Sequence, residues 1–91
     1  LARAHLDRGS ALSELGRLEE AVADATAAID LEPGNTDTLA RGHFVRAFVS
    51  SELGRTDEAV ADLQTILRLL PPTHELSRLA TGVLAALGIS E

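Results

Sequence analysis

SELGRLEEAVAD (residues 13–24) and SELGRTDEAVAD (residues 51–62) are one phrase written twice, identical at ten of twelve positions with no gap. A match of that length does not arise by chance in a chain of 91 residues, so internal repetition is the first property to settle. The Leu-Gly pair at its centre recurs at residues 15–16, 53–54 and 87–88, the second interval being about one helical turn shorter than the first. Pro33 and Pro71 stand at the same distance beyond the first two pairs.

Each unit reads as helix, turn, helix. Gly16 and Gly54 suit the left-handed position just past a helix end, where a side chain adds strain. Glu19 and Glu20, or Asp57 and Glu58, then fall in the first turn of the next helix, where carboxylates meet unpaired N–H groups and the positive end of the helix dipole. Thr56 is the expected N-cap of the second copy. Ala21, Ala25, Ala28 and Ile29, or Ala59, Leu63, Ile66 and Leu67, recur every three or four residues and form the apolar face that packs on the preceding helix. Pro33-Gly34 and Pro71-Pro72 close these helices, and Asn35, Thr36, Asp37 or Thr73 cap the following ones. Helices are expected at about 2–15, 18–31, 37–52, 56–69 and 74–87.

Composition agrees. Sixteen Leu and fifteen Ala, against two Phe and no Trp, Tyr, Met or Cys, favour helices packed closely through small side chains. So short a chain buries only about 60–65% of its unfolded surface, and stacked repeats are one remedy for a thin core. Without cysteine there is no disulfide framework or thiolate metal site, which fits a reducing, cytoplasmic setting. The net charge of −6, with eight Arg and no Lys, disfavours nucleic acid. The longest uncharged run, residues 79–90, is too short to span a membrane, and no signal pattern opens the chain. The start at Leu1 points to a fragment of a longer parent.

This arrangement resembles the tetratricopeptide repeat family, a helix–turn–helix of about 34 residues with fixed large, small and proline positions. In the first unit Gly9, Leu15-Gly16-Arg17, Ala21 and Pro33 match that signature, while His5, Arg8, Leu12 and Ala25 replace its leading aromatic, Leu, Tyr and Phe. The core is therefore lighter than the family usually builds. In the second unit Ala59, Leu63 and Pro71 match, but ungapped counting puts His43, Arg46, Ala47 and Ser50 on the early positions. Two registers remain open. In one, the extra turn precedes the repeat, Ala47 replaces the signature Gly, and Phe44 and Phe48 face the concave side. In the other, Arg41-Gly42 pairs with Arg8-Gly9 and Phe48 joins the core. The first is ungapped from Arg46 to Pro71 and is used for the site residues below.

The resemblance implies an all-α fold of antiparallel helical pairs stacked as a short right-handed α-solenoid of five helices. One domain is expected over residues 1–91: a first repeat at about 2–35, a second at about 36–72 with an extended first helix, and a capping or truncated helix within 73–91. It also implies a non-enzymatic scaffold that binds a protein or peptide in a concave groove lined by the first helix of each pair. The matching positions are Arg3, Leu6, Ser10 and Ser13, then Arg41, Phe44, Phe48 and Ser51, and finally Arg78. An apolar centre edged by arginines suits an acid-flanked hydrophobic peptide. A clamp for a chaperone's C-terminal carboxylate is disfavoured, because Leu6 and Ser10 occupy its places and the chain has no Lys.

Catalysis has no footing. His5, His43 and His74 lack partners at metal-ligand spacing and read as core or surface histidines, the acidic pairs are explained by helix dipoles, and no Ser sits in a nucleophile elbow. No cofactor is expected. Two rival readings stand beside the peptide scaffold. One is a structural module forming homo-oligomers through exposed repeat ends at Leu1, Ala4, Val83 or Ile89; the other is an accessory domain of a larger enzyme or regulator.

Overall fold

A computed structural model describes residues 1–88 and contains five α-helices: α1 (Ala2–Glu14), α2 (Leu18–Leu31), α3 (Thr36–Glu52), α4 (Thr56–Leu69) and α5 (Glu75–Ala86). Every expected helix is present, with ends displaced by at most one residue. No strand occurs among the described residues. Each helix packs on its neighbour in the chain, and α3 also touches both α1 and α5. This is an all-α repeat solenoid, 32 × 29 × 17 Å, in which the odd-numbered helices share one face.

The turns are built as the repeated phrase requires. Gly16 and Gly54 both adopt φ +79°, and Gly88 repeats the geometry at +83°. At the first turn the Arg17 N–H donates to the Leu12 carbonyl at 2.9 Å and the Gly16 N–H to Ser13 at 3.0 Å. Arg55 and Gly54 make the equivalent bonds to Ser50 and Ser51. These paired bonds satisfy carbonyls that the helix end leaves without a partner.

Two expected caps are corrected. Thr56 is the first residue of α4 and not its N-cap; the Gly54 turn delivers Arg55 to that position, with no side-chain cap bond. At α5 the cap is His74, whose Nδ1 accepts the Leu76 N–H at 3.1 Å, and not Thr73. Asn35 does cap α3, accepting the Thr38 N–H at 3.1 Å.

Small residues bring the helices together. Ala21, Ala25, Ala28, Ala40, Ala59 and Ala80 have no accessible surface. The larger buried side chains, Leu63, Ile66 and Leu84, cluster with Ala47 and Ala80 among α3, α4 and α5. Repeat one has a sparser cluster of Ala2, Leu6 and Ala28 with Val45 against it. Burial of a Leu or Ile side chain contributes about 1.5–3 kcal/mol, so apolar stabilisation concentrates in the C-terminal half.

Gly54→Val forces a β-branched residue into the left-handed region. The expected cost is roughly 1 kcal/mol, a fall in melting temperature of about 4–8 °C by circular dichroism. An unchanged melt contradicts this account of the turn.

Candidate functional site

The shared face of α1 and α3 is a trough made of two adjoining hollows. One, of about 380 Å³, is lined by the expected Arg3, Leu6, Ser10, Arg41 and Phe44. The other, of about 300 Å³, is lined by Ser10, Ser13, Phe44 and Phe48. Seven of the nine sequence-derived positions therefore come together. Ser51 and Arg78 line neither hollow; Arg78 turns away to donate from Nε and Nη2 to the Thr73 carbonyl at 3.3 and 3.0 Å.

The positions differ in what they offer. Leu6 is only 7% exposed and forms the floor. Phe44 is half-buried and packs on the cluster formed by Leu63, Ile66 and Leu84, yet borders both hollows. Phe48 is 53% exposed, a large apolar ring left open at the trough's edge. The sequence reading missed the trough's acids. Asp7 and Asp37 line the first hollow with Glu75, and Glu14 lines the second. Arg41 is not a free cation, since its Nε lies 3.2 Å from Asp37 Oδ2. Asp7 and Glu14 follow Arg3 at helical spacing on α1, so periodicity carried that signal.

Behind the trough, each helical pair is clamped by a buried carboxylate. Asp24 is 4% exposed and accepts from Arg8 Nε and Nη2, both at 2.7 Å, with His5 Nδ1 at 3.1 Å. Asp62, 5% exposed, has the same partners in the next unit: Arg46 Nε and Nη2 at 2.9 and 2.8 Å, and His43 Nδ1 at 2.8 Å. An ionised carboxylate only accepts, so each Nδ1 carries its proton. These are the positions where the family signature has an aromatic and a Leu. The ungapped register thus holds in three dimensions, down to matching atoms.

Hydrogen bonds from the arginines and histidines keep both carboxyls below their ordinary value. The Arg8 hydrogen bonds hold Asp24 at about 2, against the opposing effect of burial and with a further contribution from His5. At Asp62 burial is the largest influence and pushes upward, but the His43 and Arg46 hydrogen bonds together outweigh it and the carboxyl lies below its ordinary value. The clamps are structural ion pairs. Among the described residues, no group of three or more His, Cys, Asp or Glu is placed to hold a metal ion. No helix among them is long and apolar enough to cross a membrane.

The tetratricopeptide repeat family model matches residues 2–35, the segment that spans α1, its turn and α2. That match covers the first repeat, and the second helical pair is built on the same clamp and turn, which is consistent with a tetratricopeptide repeat protein of a few repeats. Repeats of this family generally mediate protein–protein interactions and are generally non-catalytic. No curated protein and no solved structure matches the chain.

Two outcomes follow for the clamps. Because Asp24 ionises at a lower pH when folded than when unfolded, its stabilisation is full above the ordinary carboxylate range and is lost as pH falls toward 2. Melting temperature is therefore expected to drop between about pH 4 and pH 2, and Asp24→Asn to flatten that limb. Arg46→Leu leaves Asp62 buried without its bidentate partner and is expected to cost roughly 3 kcal/mol, seen as a melt lower by about 10–20 °C. Arg8→Leu is expected to cost less, since the Arg8 side chain is 65% exposed against 27% for Arg46.

Proposed function

We propose that this chain is a non-enzymatic interaction scaffold that takes a peptide or short helix in the trough between α1 and α3. The observation that carries the reading is the half-exposed Phe48 beside Phe44 in a hollow that Val45 and Val49 also line, with Ser10, Ser13 and Glu14 as its polar members. A rigid aromatic pair with a polar margin is how binding hot spots are commonly arranged.

The partner's charge differs from the sequence expectation. Four carboxylates line the two hollows, from Asp7, Glu14, Asp37 and Glu75, against two guanidinium groups, one of them paired. An acid-flanked ligand meets net repulsion there. An apolar anchor flanked by Arg or Lys meets attraction, reinforced by the overall charge of −6.

Two synthetic helical peptides with the same apolar face, one flanked by arginines and one by glutamates, separate these options by fluorescence anisotropy. The basic peptide is expected to bind at least about tenfold more tightly, with the preference shrinking as salt rises. Phe48→Ala is expected to weaken it by about tenfold, while Ser51→Ala leaves it unchanged. Equal affinity of the parent and Phe48→Ala, or preference for the acidic peptide, overturns the reading.

A further inference from the structure

The contact between the two helical pairs exists in this molecule in both an occupied and an open form. In the occupied form, Arg46, Ser50, Arg55, Glu58, Ala61 and Asp62 line a hollow of about 340 Å³ that α2 completes with Val22 and Thr26. The open form is lined by Arg8, Leu12, Arg17, Glu20, Ala23 and Asp24. These are the same six positions of the preceding unit, and the two covering residues have no counterpart.

The side chains differ accordingly. With α2 in place, Arg46 Nη1 donates to Thr26 Oγ1 at 3.2 Å and Arg55 reaches across to the Glu19 carboxylate at 2.5 Å, standing 3.9 Å from its own Glu58. At the open seat Arg17 folds back onto Glu20 with two bonds of 2.8 Å, and Arg8 donates to Asp24 within the clamp. Val49 is wholly buried where α3 meets the preceding pair; its counterpart Ala11 is exposed. Leu15, counterpart of the half-buried Leu53, is 72% exposed.

We propose that the outer face of α1 is a seat for a helix of α2 chemistry: a carboxylate, a β-branched residue and a hydroxyl at spacings of three and then four, as in Glu19, Val22 and Thr26. The carboxylate draws Arg17 away from Glu20, and the hydroxyl accepts from Arg8. The open seat carries Ala4, Ala11 and Leu12 where the inner one has Gly42, Val49 and Ser50, and the first of these decides what can enter. A Cβ on Gly42 would lie 2.6 Å from Ile29 Cγ1, so only glycine admits that isoleucine, and Ala4 at the open seat calls for a smaller residue in its place. A second copy facing the seat by twofold symmetry presents its own α1 and not a helix of α2 chemistry, which disfavours self-pairing. Of the apolar ends considered for self-association, Leu1 and Ala4 are exposed at this face, Val83 is half-buried against the C-terminal core, and Ile89 lies outside the described residues.

The probe is a peptide of residues 17–32 with Ile29→Ala, stapled between positions 21 and 25 on the face that packs α1 within the protein. Titrated into the full chain, it is expected to bind one to one and to move amide resonances of Ala4, Arg8, Ala11 and Leu15. Ala11→Glu and Arg17→Glu in the protein, both at exposed positions, are each expected to weaken it about tenfold with unchanged melting, and Phe48→Ala to leave it unaffected. Absence of binding up to millimolar peptide overturns the seat. So does perturbation confined to Leu6 and Gly9, which means that the peptide has displaced α2 itself. A concentration-dependent dimer abolished by Ala11→Glu makes a second copy the occupant and overturns the partner chemistry.

Discussion

Two buried carboxylates hold this small solenoid in shape. Asp24 and Asp62 sit within the helical pairs, and each is paid for by a bidentate guanidinium and a histidine that stand where the family signature has a Leu and an aromatic. An ion pair of this kind is weak evidence for net stability, since desolvation offsets most of the attraction. Its geometric demand is strong. The carboxylate must meet the Arg fork in one plane, which sets the two helices at a defined rotation and spacing.

That constraint makes the light core workable. The alanines between helices let backbones approach closely but define little on their own, because a small smooth surface slides easily. The clamps supply directionality, and the larger Leu and Ile side chains around α4 and α5 supply most of the apolar burial. The trough then follows from packing, since α1 and α3 are brought side by side with Phe44 anchored from beneath and Phe48 left above it.

The repeat also explains why the two Arg of the turns behave differently. Arg17 and Arg55 follow the same glycine and precede the same acidic turn. One closes on its own helix and the other bridges to Glu19 of the preceding pair, a neighbour that only the second has beside it. A surface arginine pairs with whichever carboxylate gives the better geometry, so its choice records what is docked beside it.

Most of the fold was legible in the sequence because its determinants are local. Helix ends at Gly16 and Gly54, acids in the next turn and proline after the second helix each act within a few residues, and repetition of the phrase pointed to stacking. The clamp was legible in principle, since His5, Arg8 and Asp24 all recur in the second unit as His43, Arg46 and Asp62, but a buried ion pair draws its meaning from burial, which spacing alone does not reveal. Tertiary structure alone decided that Leu6 is floor and Phe48 is open, that Asp37 neutralises Arg41, and that Asp7, Glu14 and Glu75 make the trough acidic. The reason is physical: periodicity tells which residues share a helix face, whereas the charge and exposure of a groove depend on which faces of separate helices are brought together.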